Sequence, residues 1–431
     1  MAKHRHRRAE ENRKLVRQAV ARRARRGAAS DAGFSLERLE PRQMLAITVT
    51  AENLARYKVG ADYVFNDPTS ITVAPNLLID AAGGKISLTA PVISLGEGAT
   101  LRSKGAGGAA DGAITLTAKS QTASPLPSAL LNQLINWTEL AGELVGLSKG
   151  QTATIDVGRD VRIDGGTVKF DVAAGDVDPQ WWKDLTKIPF GGEVLKQAQK
   201  ALDAIVALPI TVVIKQPESK LTVAEDVSIT GSGSVTLASE AVARADGVAM
   251  WSVAADYLNL LKYTKKVSFA AGFAYSDAVS SLSVAENARV ESTGESVSLT
   301  SRVDNSTTIK ARAHLNTGLK PVDASNVSFA AAVTIQKSKA TVDLAAATLV
   351  KAATTVEVRA TGTDINLTRA KTASFKDGLV GATAAVAVGS SIIEVFAGGT
   401  IEAGQTAPPA PLVFDPATTV HFATSTIRLA T

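Results

Sequence analysis

The side chains best suited to acid–base or cation chemistry are six aspartates in two groups: Asp156, Asp160 and Asp164, then Asp171, Asp176 and Asp178. Paired carboxylates set beside Lys or Arg bind calcium and abstract protons in enzymes that cleave acidic carbohydrate. Positions four apart share a face on a strand, so Asp156, Asp160 and Asp164 converge if one strand carries them. Glycine and valine separate them in the manner of solvated turns, and no Asp-x-Asp-x-Asp-Gly loop with a distal Glu is present. Other chemistry has less material. The chain has no cysteine, which excludes disulfides, thiolate zinc sites, iron–sulfur clusters and a cysteine nucleophile. Of its four histidines, His4 and His6 lie in a basic leader, leaving His314 and His421 far apart. No phosphate loop or dinucleotide fingerprint is found. The sequence predicts no catalytic residue, no metal site and no cofactor.

The elements that hold these residues belong to a repeat. Residues 267–290 read VSFAAGFAYSDAVSSLSVAENARV, residues 327–350 read VSFAAAVTIQKSKATVDLAAATLV, and residues 378–401 keep the apolar pattern as GLVGATAAVAVGSSIIEVFAGGTI. A copy lacking its first strand starts at Leu221, and a more distant one at Ile155. Val168, Val235, Val297, Val356 and Val420 mark the period, 67, 62, 59 and 64 residues apart.

Within each unit the apolar residues alternate with period two, as in Val235/Leu237, Val297/Leu299 and Val356/Val358. β-Branched residues fill these runs, and Gly, Ser, Asn and Asp separate them. One such unit cannot bury its own apolar face, so stacking must stabilise the array. The pattern predicts a mainly β fold, a parallel β-helix or β-solenoid over 47–431, with each unit making about three coils of some 20 residues. A string of β-sandwich domains would need Asp-Gly or Asn-Gly hairpin turns between short strands, and these are sparse, Asp164-Gly165 and Asp246-Gly247 being the nearest. The most apolar stretch, residues 380–393, is broken by Ser390 and Ser391 and reads as a buried strand. It is too short for a membrane-spanning helix, and nothing longer occurs.

Two short helical insertions are expected, over 128–147 and 179–208. Leu130, Leu131, Leu134, Ile135, Ala141, Leu144 and Val145 recur at helical spacing in the first. Val194, Leu195, Ala198, Leu202 and Ile205 do so in the second, after the pair Trp181 and Trp182, which are expected to pack on the solenoid wall.

Charge divides the chain. Residues 1–27 hold eleven Lys and Arg against Glu10 and Glu11, a balance of +9, whereas the whole chain is only +5. The remainder is therefore mildly acidic, which argues against a nucleic-acid-binding face on the fold. Residues 1–33 read as a basic, disordered leader. It lacks the apolar run of a standard secretory signal.

Residues 34–46, FSLERLEPRQMLA, follow that leader. Pro41 fixes its own φ and biases Glu40 away from helix, so the segment is extended or turned. Glu40 and Arg42 then face outward between apolar neighbours. The stretch resembles the LEPR-xLL motif near the N-terminus of large repetitive bacterial surface proteins. Leu39, Glu40, Pro41, Arg42 and Leu45 fit it, and Met44 replaces the usual leucine conservatively. The resemblance covers about a dozen residues and implies a sorting signal read by export machinery. It implies a non-enzymatic, adhesin-like or structural protein at the cell surface or outside the cell, with carbohydrate or other surface proteins as partners. Members of that family are usually far longer, so a truncated or split version is expected. The alternative is a β-helix polysaccharide lyase or hydrolase acting on acidic carbohydrate.

Overall fold

The computed structural model describes residues 46–107, 109–123, 150–177, 210–250, 267–313, 327–371, 380–404 and 423–429. The leader, the LEPR-like motif, both expected helical insertions, Asp178, Val420, His314 and His421 lie outside them.

The described residues form a parallel β-helix of three sheets, named A, B and C by decreasing strand number. Sheet A opens with β1 (Ile47–Val49), and after a 3-10 turn (Leu54–Tyr57) sheet B opens with β2 (Lys58–Val59) and β3 (Asp62–Asn66). The chain then visits A, C and B in turn. Two compact passages follow: β4 (Ser70–Val73), β5 (Leu78–Asp80), β6 (Ile86–Ala90), then β7 (Val92–Leu95), β8 (Thr100–Arg102), β9 (Ile114–Ala123). The third is β10 (Thr152–Val157), β11 (Arg162–Gly165) and β12 (Val168–Val177). The fourth has a divided sheet A strand, β13 (Ile210–Lys215) and β14 (Glu218–Val223), before β15 (Ser228–Gly231) and β16 (Val235–Met250). Next come β17 (Val267–Val284), β18 (Arg289–Ser292), β19 (Val297–Arg312), and β20 (Val327–Leu344), β21 (Leu349–Ala352), β22 (Val356–Lys371). The last are β23 (Val380–Ala397), β24 (Thr400–Ala403) and β25 (Ala423–Leu429).

Sequence repeats fall on paired residues. Val168, Val235, Val297 and Val356 stack in register on sheet B and are all buried. In sheet A the ladder runs Ile71, Ile93, Ile155, Leu221, Leu282, Val342 and Val395. One coil therefore takes 22 residues at first and 53 to 66 afterwards. This corrects the expected coil length: a 60-residue unit is one coil, not three. In-register stacking repeats a residue once per turn, so the sequence period is the coil itself. The copy at Leu221 does have its first strand, as β13, which pairs with β17 and is interrupted at Gln216-Pro217. Asp164-Gly165 and Asp246-Gly247 sit inside parallel strands, not in hairpin turns.

The extra residues lengthen two sheets. β16, β19 and β22 reach 16 residues each, and β17, β20 and β23 reach 18, against four and five for β4 and β6 in the first coil. Their outer parts leave the three-sided body as a two-layered arm. The body is filled by large side chains such as Phe65, Phe170, Ile93, Leu116 and Ile155. The arm has a separate, thinner core of Ala245, Ala249, Ala270, Ala274, Ala311, Ala330 and Ala332 around Val213 and Ile309. The arm core is thus built mainly of alanine, whereas the body mixes alanine with large side chains.

Between the two cores runs a buried polar seam. Ser219 and Ser239 hydroxyls lie 2.9 Å apart, Ser280 Oγ donates to Ser239 O at 2.9 Å, and Ser301 Oγ donates to Ser280 O at 3.0 Å. The contacts alternate between sheets A and B, climbing one coil at a time. Further out, Asn305 accepts from Ser276 Oγ at 2.7 Å and donates to Lys337 O at 2.8 Å, and Gln336 donates to Asn305 O at 2.8 Å. Fully partnered buried groups of this kind favour one register over its neighbours, because a slip would strand them.

Corners between sheets A and C share one backbone device. Asn76, Gly98, Asp160, Asp226, Asn287 and Ala347 all have φ between 56° and 70°. Gly, Asn and Asp tolerate that left-handed conformation better than other residues. The next corner, Gly398 and Gly399, is two residues shorter, so the third repeat copy aligns at Ile401 but is displaced by two at its start.

Candidate interaction surface

The five aspartates among the described residues do not form a site; Asp178 lies outside them. Asp156 points outward from sheet A and Asp160 occupies a corner at φ 56°. Asp164 lies on sheet C beside Lys104 at 3.0 Å, and Asp171 on the outside of sheet B between Lys119 and Lys169. Asp176 is buried where the arm leaves the body, paired with Lys215 Nζ at 3.0 Å and accepting the Arg244 amide at 3.2 Å. The three at four-residue spacing thus face three directions, because a corner separates β10 from β11.

Where carboxylates do gather, they are held by structural partners. Lys104 bridges Asp111, at 3.1 Å, and Asp164. The Gly105 amide and the Ser232 hydroxyl, with Lys104, hold Asp111 below the ordinary carboxylate value. Burial works against the charge of Lys104, yet its two carboxylate partners carry its pKa above the usual value. Burial likewise opposes Asp67, but the Thr69 hydroxyl and amide and the Ser70 amide keep it low. Among the described residues no group of three His, Cys, Asp or Glu is placed to hold a metal ion, and no helix is long and apolar enough to cross a membrane.

The surface that stands out is the outward face of sheet A along the arm. Four strands contribute to it: β13, β17, β20 and β23. In-register rows there read Phe269, Phe329, Ala382; then Ile210, Ala271, Ala331, Ala384. The next are Val212, Phe273, Val333, Val386, and Ile214, Tyr275, Ile335, Val388. None of these fifteen positions is charged. Ile210, Phe329 and Val388 remain 51%, 47% and 52% exposed. Isolated exposed apolar residues are ordinary, but a contiguous patch marks a contact surface.

The patch has a sharp border and a contrasting reverse side. Tyr275 donates its hydroxyl to Asp277 at 2.9 Å, and Lys337 lies over the same ring at 5.9 Å. Burial, with the Asp277 charge, raises the Tyr275 pKa, so the phenol stays neutral. Beyond this row sheet A carries Glu218, Lys220, Lys339, Asp343 and Glu394. On the reverse side, sheet B presents Glu240 with Arg302, the forked pair Arg244–Asp304, then Lys310, Arg312, Arg369 and Lys371.

Sequence reading missed this patch, although the signal was there. In VSFAAGFAYS the large residues Phe269, Phe273 and Tyr275 alternate with Ala270, Gly272 and Ala274. The arm buries the small set and turns the large set outward. The expected burial of residues 380–393 is also corrected: they form a strand, but residues 382–390 are all exposed. The LEPR-like residues lie outside the described residues. No family model, curated protein or solved structure matches the chain.

Proposed function

We propose that this chain is a non-enzymatic repeat protein of the cell surface or extracellular space, adhesin-like or structural, which works by contact through its arm. The carrying observation is the uncharged outward face of β13, β17, β20 and β23, set against charged sheet B. In-register pairing of parallel strands presents that face as one surface, so it can meet an extended apolar partner without ordering itself first. Dispersal of the aspartates over separate faces supports contact rather than cleavage of acidic carbohydrate. The basic leader and residues Leu39, Glu40, Pro41, Arg42, Met44 and Leu45 supply the address, through their resemblance to the sorting motif. Carbohydrate and other surface proteins are the partners that this reading admits.

Attachment of producing cells to alkylated glass tests the reading. Val212→Lys with Phe329→Lys places two charges on outward positions and leaves both cores untouched. Attachment should fall several-fold while the amount of protein at the surface stays constant. Unchanged attachment at equal display would refute the contact face.

A further inference from the structure

Four cations lie on the reverse of the apolar face. At the outer end of the arm β19 turns Lys310 and Arg312 outward, and β22 turns Arg369 and Lys371 outward, with Lys310 paired to Arg369 and Arg312 to Lys371. Strand geometry puts these positions at the corners of a rectangle of about 5 by 7 Å. None of the four has an ion-pair partner among the described residues, whereas nearer the body Glu240, Asp304 and Glu357 are taken up by Arg302, Arg244 and Arg359. The segments that join sheet B to sheet A at that end, 251–266, 314–326 and 372–379, hold five lysines against three aspartates, so their composition offers no surplus carboxylate either. Like charges this close repel, and anions from outside the chain would relieve them.

The two layers set these cations directly behind the phenylalanines. Strands of sheet A run toward the body and those of sheet B run away from it. Gly272 faces Ile309, and Ser276 Oγ donates to Asn305, which puts Ala271 and Phe269 in front of Lys310 and Arg312. Thr334 Oγ1 donates to Asn366 at 2.6 Å, which puts Ala331 and Phe329 in front of Arg369 and Lys371. The end of the arm is therefore amphipathic through its own thickness.

We infer that the arm lies on an anionic lipid surface, with sheet A facing the acyl chains and the cations of sheet B at headgroup level. The inference rests on the contact face proposed above and names what that face meets. Elements that are apolar on one side and rich in Lys and Arg on the other settle in the plane of a membrane interface, their apolar side buried about 5–10 Å. Packed sheets stand about 10 Å apart, so the cations come within about one Debye length of the headgroups. An apolar protein partner would leave the cations unused, and an acidic polysaccharide on sheet B would leave the apolar face unused. Nucleic acid fits less well, because β16, β19 and β22 contain no aromatic ring on which a base could stack.

Flotation of the full chain with lipid vesicles tests the inference, using phosphatidylcholine alone or in equimolar mixture with phosphatidylglycerol. Wild type should bind the mixed vesicles several-fold more tightly, and salt should shrink the difference. Arg369→Gln with Lys371→Gln, both exposed, should weaken binding to mixed vesicles roughly tenfold or more and leave phosphatidylcholine binding and circular dichroism unchanged. Val212→Gln with Phe329→Gln should weaken binding to both kinds of vesicle. Equal wild-type affinity for the two, or either double variant binding mixed vesicles undiminished, overturns the inference. Capture of soluble dextran sulfate that needs Arg369 and Lys371, beside vesicle binding that does not, would assign the cations to acidic carbohydrate and overturn it as well. A wild type that binds no vesicles also overturns it, and attachment to alkylated glass then tells whether the contact face itself survives.

Discussion

Gly272 and Ile309 meet across the two layers of the arm: a Cβ on Gly272 would lie 2.4 Å from Ile309 Cγ2. Gly247 leaves room for the same side chain, its Cβ position lying 3.1 Å from Ile309 Cδ1. Two glycines thus create the hole that the one large isoleucine of the arm core fills.

Gly272→Val should destabilise the chain by about 1–3 kcal/mol through overpacking, and Ile309→Ala by about 2–5 kcal/mol through the cavity it leaves. Because both changes act on one space, Gly272→Ala combined with Ile309→Val should cost less than the sum of its parts. Urea unfolding of wild type, Gly272→Ala, Ile309→Val and their double variant measures this. Strict additivity would mean that the layers do not interlock here.

Ala347 is the odd residue in its corner ladder, at φ 59° where the preceding coils place Asn287 and Asp226. Ala347→Asn should raise stability by about 0.5–1 kcal/mol, since asparagine enters the left-handed region more readily. Asn287→Ala should lower it by a similar amount. Thermal unfolding decides, and equal midpoints for all three proteins would count against the strain argument.

Acid should weaken the fold through the Asp111 carboxylate, held by the Gly105 amide, Ser232 and Lys104. The folded pKa of Asp111 is lowered from 3.8. Its contribution to stability is therefore complete above that value and is lost as pH falls from about 4 through the folded pKa. Asp111→Asn should be less stable than wild type at neutral pH, and the gap should close as pH drops below 4. A gap independent of pH would contradict the assignment.

Export is tested separately from the fold. Arg42→Glu reverses a charge within the LEPR-like segment, and Leu39→Asp removes an apolar anchor. Both should hold the protein in the cytoplasm without changing the stability of the solenoid. Normal surface display of both variants would show that the segment is not an address.

The ladder was legible in the sequence because parallel stacking repeats the same residue type at each turn. Val168 to Val356 and Phe269 to Phe329 declare their register directly. Coil length was not legible, because alternation looks the same whether a long strand belongs to a body or to an arm. Burial of residues 380–393 was misread for a related reason. Composition shows that a strand is apolar on both faces, but whether neighbours cover it depends on how many residues the next coil supplies. Asp160 illustrates the opposite case: its glycine- and valine-rich setting already pointed to a turn, and it occupies a left-handed corner.

The central claim is that the outward face of the arm on sheet A makes the contact. Absence of native cysteine permits a direct measurement. Phe329→Cys and Arg302→Cys, outward on sheets A and B respectively, would each carry one polarity-sensitive fluorophore. On contact with an alkylated surface the label at 329 should shift to the blue while the label at 302 keeps its aqueous spectrum. Equal shifts at both positions, or a shift at 302 alone, would contradict the claim.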